Sequence, residues 1–209
     1  MEQDWHQHIA DSHLKAQLKS DAELDHSVVA TLARRRRDGD VWLFGYGSLL
    51  WHPQVAHEET RKGVVHGYHR GLYLWSRINR GTPQRPGLVL GLDRGGSVSG
   101  LAYRIPDSIS ERELRALWRR EMMLGSYHPR WLSFRSGSEL LEVLAFVVDR
   151  KSSGYAGPLP DADMVAALRH ACGRYGTCAE YVSRTVEALR KHGLHDRRLE
   201  QLCRSLADS

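Results

Sequence analysis

Apolar residues change their period twice along this chain. Between Asp21 and Arg36, Leu24, Val28, Val29 and Leu32 recur at helical spacing until Asp38-Gly39-Asp40 interrupts them, which predicts an amphipathic helix behind a polar leader. From Val41 the pattern becomes that of strands. VWLFGYG, GVVHGYH, LYLWS, GLVLGL, SGLAYRI, WLSF and LLEVLAFVVD are short runs rich in β-branched and aromatic residues. Gly, Pro and Asn clusters such as Asn79-Arg80-Gly81-Thr82-Pro83 and Asp93-Arg94-Gly95-Gly96 read as the turns that separate them. After Asp149 a Gly, Ser and Pro loop (151–160) leads back to helical spacing.

One helix interrupts the strands. Ser110-Glu111-Arg112-Glu113, directly after Pro106, fits a capping box and is the expected helix start. Toward the C-terminus, Asp161 to Ala171 reads as a helix. Thr177-Cys178-Ala179-Glu180 starts a second, ending at Gly193, and Asp196 caps a last one with Leu199, Leu202 and Leu206 inward. Strands following one another with few helical crossovers favour an antiparallel or mixed sheet, curled toward a barrel. The expected class is therefore α+β, a mostly antiparallel, small barrel-like sheet with peripheral helices. The expected organisation is a helical extension over 1–39 that looks like an appendage, then one domain over 40–209, strand-rich to about 150 and helical over 161–207.

Bulk properties narrow the function classes. A chain of 209 residues, 41% hydrophobic and 26% charged, suits one globular core. No apolar run approaches the roughly 20 residues of a membrane helix, and the N-terminal stretch is not of signal-peptide type, so a cytoplasmic protein is expected. Cys172, Cys178 and Cys203 fit neither a disulfide framework nor a zinc site, and His57-Glu58-Glu59-Thr60-Arg61 breaks the H-E-x-x-H pattern. His6 and His8 fall in a leader expected to be mobile, and no metal is expected. The net charge of +5 permits acidic partners. The Arg34 to Arg37 block reads as a solvated helix end placed where cations suit the dipole, in preference to a nucleic-acid patch.

Chemistry has two candidate addresses. In Phe44-Gly45-Tyr46-Gly47-Ser48-Leu49-Leu50 a strand runs into a loop whose glycines let main-chain N–H groups approach a carboxylate or oxyanion; the alternative is a plain strand-ending turn. The loop lacks the third glycine of a dinucleotide fingerprint, the Gly-Lys-Ser/Thr of a P-loop and the glycines of a nucleophile elbow. On the helix after Ser110, Leu114, Leu117, Trp118 and Glu121 share one stripe, while Arg112, Arg115, Arg119 and Arg120 point elsewhere. A carboxylate there is either a desolvated acid–base group or a buried partner of an arginine.

Taken together, Phe44-Gly-Tyr-Gly-Ser-Leu49, Asn79-Arg-Gly-Thr-Pro-Gln-Arg-Pro-Gly87, Trp118-Arg-Arg-Glu121 and the Glu180-Tyr181 helix resemble the ChaC-type γ-glutamylcyclotransferases that degrade glutathione. The similarity runs from about Asp40 to Leu206. It implies a compact barrel-like fold in which Phe44, Gly45, Tyr46, Gly47, Ser48 and Leu49 form the substrate loop and Glu121 matches the family's catalytic glutamate. Tyr127 aligns with a pocket tyrosine, although Ser126 separates it from Gly125, where many relatives have the pair adjacent. Arg77 and Arg80, with Arg85 as a further candidate, are expected to hold substrate carboxylate. The implied reaction needs no cofactor, because the substrate's own α-amine attacks its γ-carbonyl. The expected partner is glutathione, with no nucleic acid or membrane, acting on a monomer or weak dimer. The alternatives are other γ-glutamyl amines or amino acids as substrates and, more distantly, a basic nucleic-acid-binding module.

Overall fold

A computed structural model describes residues 18–207, so His6 and His8 lie outside the described residues. The chain opens with α1 (Asp21–Leu32), followed by β1 (Val41–Gly45), a 3₁₀ turn (Ser48–Leu50), β2 (Glu59–Ser76) and β3 (Gly87–Ile105). Next come α2 (Asp107–Glu121), β4 (Tyr127–Ser136), β5 (Glu139–Val148) and α3 (Asp161–His170). A short hairpin of β6 (Cys172–Gly173) and β7 (Gly176–Thr177) leads to α4 (Cys178–Lys191) and α5 (Arg197–Ala207). Among the described residues no helix is long and apolar enough to cross a membrane.

The five long strands close into a barrel in the order β1-β3-β2-β4-β5. Consecutive neighbours in that order are antiparallel, and β5 closes the ring with parallel contacts, Leu43 opposite Leu144 and Leu92 opposite Val147. Four of the runs read as separate strands are in fact two. β2 and β3 form one long hairpin from the Glu59/Arg104 pair to the Ser76/Gly87 pair, with register shifts at His66/Tyr68 and Leu72/Leu74. The Asp93-to-Gly96 cluster expected to be a turn lies inside it: Gly95 and Gly96 adopt positive φ of 101° and 72°, as does Gly67 at 84°. Glycine enters that region without a Cβ clash, so the strands bend and twist there instead of stopping. The Asn79 cluster is a true turn, at the hairpin's tip.

Leu43, Phe44, Val65, Leu88, Leu92, Phe134 and Leu144, all on barrel strands, are fully buried and belong to one core. The first helix joins this core. α1 is capped by Ser20, whose side chain accepts from the Glu23 N–H while Glu23 reaches back to the Ser20 N–H at 2.8 Å. Leu24 and Val28 are buried in the same cluster, and Trp118 Nε1 donates to Ser27 Oγ at 3.2 Å. The helix is thus packed onto α2 and is no loose appendage. It also ends at Leu32, ahead of the arginine block. Arg35 donates to Gly39 O and pairs with Asp107, and the Arg36 N–H donates to Glu142, so part of that block ties the linker to the barrel.

The α2 start differs from the capping-box expectation. The helix begins at Asp107 behind Pro106, and Ser110 lies inside the first turn, buried, with its hydroxyl donating to Asp107 O at 3.1 Å. Glu113 accepts the Ala56 N–H at 2.9 Å instead of capping its own helix. Proline at the entry fixes φ in advance, so the helix starts one turn early. Later helices follow their sequence signals: Thr177 accepts the Glu180 N–H, Gly193 takes φ 67° after α4, and Asp196 accepts the Leu199 N–H. Leu199 and Leu202 are buried, and Leu206 packs partly exposed against the core.

Candidate active site

A cavity of about 400 Å³ opens where the loop after β1, the end of α2, the β2–β3 turn and the start of α4 converge. Ser48, Trp51, Arg80, Glu121, Tyr127 and Tyr181 are among the residues that line it. Its size suits a small organic substrate.

The loop is pinned from both sides. The Leu50 N–H donates to Gly47 O at 2.9 Å and the His52 N–H to Ser48 O at 2.8 Å, which closes the 3₁₀ turn. From the barrel, Tyr103 Oη donates to Leu49 O at 2.7 Å and Arg70 Nη1 to Tyr46 O at 2.8 Å. Gly45 makes this approach feasible, because a Cβ there would stand 2.9 Å from the Tyr103 ring and 3.1 Å from Leu49 Cβ.

Glu121 is the last residue of α2. Leu114, Leu117 and Trp118 on the same stripe are buried, so the helix is anchored and the carboxylate is carried to the cavity wall. Its side chain is 16% exposed and sits 3.0 Å from Arg120 Nε. Burial raises its pKa above the ordinary carboxylate range, and the Arg120 charge offsets part of that rise. Tyr46, Tyr127 and Tyr181 surround it, each pushed up by burial, with the Glu121 charge adding to the rise. These phenols stay protonated at working pH. Tyr46 Oη donates to Phe146 O at 2.7 Å and Tyr127 Oη to Leu90 O at 2.9 Å, while Tyr181 Oη accepts the Leu90 N–H at 3.2 Å.

Across the cavity the surface is cationic. The Arg80 side chain, only 6% exposed, donates to Thr177 O, lies 3.7 Å from Glu180 and packs its guanidinium over Trp51 and Tyr181. Burial lowers its pKa, as expected of a desolvated cation. Arg184 lies 4.1 Å from the Trp51 ring centroid and shares Glu180 at 3.6 Å. Two guanidiniums against one carboxylate leave positive charge for an anionic group.

The expected site residues separate into groups. Ser48, Arg77, Arg80, Glu121 and Tyr127 share the cavity. Arg77 is less engaged, donating to Ser153 O at 3.3 Å, and Arg85 is exposed and lies away from the wall. Phe44 packs into the core from β1 and Leu49 from the 3₁₀ turn. Tyr46 stands behind Glu121, and Gly47 lies against Tyr181 and Leu90.

The reading that Arg120 points away requires correction. Its guanidinium donates to Ser48 Oγ at 2.7 Å, Gln54 Oε1 at 2.6 Å and His52 O at 3.1 Å, besides facing Glu121. A helical wheel gives the direction of Cβ, and a long side chain can fold back over the helix end. Trp51, Asn79, Arg184 and Tyr181 were not assigned from sequence; Asn79 and Tyr181 had a signal, in the Asn79-to-Gly87 motif and the Glu180-Tyr181 helix. Among the described residues no group of three or more His, Cys, Asp or Glu side chains is arranged to hold a metal ion.

A family model described as ChaC-like protein matches residues 41–208. The chain is 36% identical over 177 residues to a glutathione-specific γ-glutamylcyclotransferase of Escherichia coli (strain K12), covering 84% of this chain and 77% of that relative. It is 32% identical over 166 residues to glutathione-specific γ-glutamylcyclotransferase 1 of Homo sapiens, covering 76% and 75% respectively. Among solved structures, a yeast γ-glutamyl cyclotransferase specific to glutathione superposes with a TM-score of 0.76 over 82% of this chain and 97% of the other, at 17% identity. That likeness concerns the fold.

Proposed function

The chain belongs to the ChaC-like family, and from that premise we propose that it is a glutathione-specific γ-glutamylcyclotransferase, converting glutathione to 5-oxoproline and cysteinyl-glycine. The observation that carries the chemical reading is the desolvated Glu121 carboxylate on the wall of a cavity whose other side is cationic. The γ-glutamyl group contains its own nucleophile. Folded back, its α-amine reaches its γ-carbonyl and closes a five-membered lactam, so the protein has only to fix the pose and move protons.

Glu121 takes a proton from the α-ammonium. The freed amine forms the new C–N bond and the carbonyl oxygen gains negative charge; Glu121 passes its proton to the departing nitrogen, the new ring nitrogen sheds its second proton by the same carboxylate, and the old amide C–N bond breaks as the oxyanion collapses, so that the leaving amine takes up both protons and departs as an ammonium. No water is consumed, and atoms and charge balance. A carboxylate whose pKa is raised toward neutrality suits both halves of this exchange. We assign oxyanion stabilisation to the Ser48 hydroxyl, the loop's main-chain N–H groups and the protonated phenol of Tyr181, and the substrate carboxylates to Arg80 with Arg184.

We propose further that the enzyme works in the cytoplasm as a monomer or weak dimer. The test is to incubate the purified chain, with chelator present, with glutathione, γ-glutamyl-alanine and oxidised glutathione, and to follow 5-oxoproline and cysteinyl-glycine by mass spectrometry. Stoichiometric release of both products from glutathione alone supports the reading. Release from γ-glutamyl-alanine at equal or greater efficiency would replace glutathione with the wider γ-glutamyl class, and no 5-oxoproline from any of them would refute it.

A further inference from the structure

Arg120 stands between the two halves of the site. Its four contacts reach Ser48 Oγ, Gln54 Oε1 and His52 O on the loop side and Glu121 Oε1 on the helix side. We infer that Arg120 is the positioning residue of the reaction, one guanidinium setting the Ser48 hydroxyl and the Glu121 carboxylate in fixed relation across the cavity. The inference rests on the cyclotransferase reading for its chemistry and on these contacts for its geometry.

Two consequences follow from hydrogen-bond direction. Because Arg120 donates to Ser48 Oγ, the serine oxygen acts as an acceptor there and its own O–H proton is left to donate. No described residue accepts that proton, and Ser48 lines the cavity, so it is presented to the substrate's developing oxyanion or carboxylate. The same contact makes Ser48 a poor nucleophile, since the guanidinium occupies a lone pair of the oxygen. On the other side, Arg120 engages one carboxylate oxygen of Glu121, and no described residue donates a hydrogen bond to Oε2. The planar fork of arginine spans both tasks at once, which the single ammonium of lysine does not.

The charge matters as well as the fork. Glu121 is faced by Arg120 from its own helix, Tyr46 from the loop, Tyr127 from β4 and Tyr181 from α4. The phenols are neutral and His52, beside Arg120, is held down by burial and by the Arg120 and Arg184 charges. Arg120 is thus the cation whose charge favours the ionised form of Glu121 against the effect of burial.

The test compares Arg120→Gln, Arg120→Lys and Ser48→Ala, alone and combined, using 5-oxoproline release and the Glu121 titration followed by carboxyl NMR. Arg120→Gln is expected to raise the Glu121 pKa, move the acid limb of kcat/KM to higher pH and lower kcat by ~10 to 10²-fold. Arg120→Lys is expected to keep the acid limb near the native position while still losing kcat, because charge is retained and the fork is not. Ser48→Ala is expected to cost much less in either Arg120 variant than in the native chain, the signature of coupled groups. An unmoved Glu121 titration in Arg120→Gln, or a Ser48→Ala effect that multiplies in full in both Arg120 backgrounds, would overturn the inference. If Arg120→Gln does not fold, Arg120→Lys with Ser48→Ala decides by the coupling alone. A native chain without turnover would instead refute the cyclotransferase reading, and the NMR titration still judges Arg120.

Discussion

Gly45→Ala probes how tightly the loop after β1 is built. An added Cβ would lie 2.9 Å from Tyr103 Cε2, 3.1 Å from Leu49 Cβ and 3.3 Å from the Leu49 carbonyl carbon. Ordinary carbon contacts are about 3.5–4.0 Å, so ring or loop must retreat by roughly 0.5 Å or more. The ring is not free to leave, being buried with its hydroxyl on Leu49 O, and the loop is held from below by Arg70. Overpacking of this kind costs ~1–3 kcal/mol, equivalent to a fall in Tm of roughly 2–12 °C for a chain of this size. Displacement of Ser48 should cost more than stability does, about 10 to 10²-fold in kcat/KM at a temperature where the variant is folded. Thermal melts with steady-state 5-oxoproline assays provide both quantities. A variant with native Tm and native kcat/KM would show that the loop has slack and that its geometry is not set by this contact.

Two other expectations are independent of the loop. Burial pushes the Cys178 thiol up to about 11, and it is held between the N–H and C=O of Leu88, whereas Cys172 is exposed; iodoacetamide at pH 8 should therefore alkylate Cys172 in the folded protein and Cys178 only after unfolding. Peptide mass mapping checks this, and comparable labelling of both in the native state would contradict the packing. Glu121→Gln should raise Tm at pH 8. The folded-state pKa of Glu121 is raised, so its ionised form is disfavoured on folding, and that cost is present above the raised value and disappears as pH falls below the ordinary ~4.3 of a glutamate. Melts at pH 8 and pH 4 should show the Gln variant ahead at the first and level at the second; a native advantage at pH 8 would reverse the assignment.

What was legible from sequence is what depends on local period and on short signals. The stripe of Leu114, Leu117 and Trp118 that carries Glu121 inward is such a case, as are the Thr177 and Asp196 caps. The barrel class followed from the succession of strands. The number of strands did not, because glycine at a bulge and glycine at a turn look alike until the register is known, as Gly95 and Gly96 show. Pro106 outranked the Ser110 capping pattern, a competition between two local signals that the sequence poses without resolving. The cationic wall of Trp51, Arg80 and Arg184 depends on contacts among residues far apart in the chain, and no local spacing encodes it. Arg120 was missed for a different reason: wheel geometry assigns a face to Cβ, while a guanidinium several bonds away chooses its partners after the fold has formed.

Turnover by this mechanism depends most on one carboxylate, that of Glu121, carrying protons. Glu121→Gln preserves shape but cannot accept the α-ammonium proton. The decisive measurement is its rate of 5-oxoproline formation from saturating glutathione, made on protein whose far-UV spectrum and melt establish a folded state. A loss of ~10²-fold or more relative to the native chain is expected. A folded Glu121→Gln enzyme within a few-fold of the native rate would contradict the mechanism.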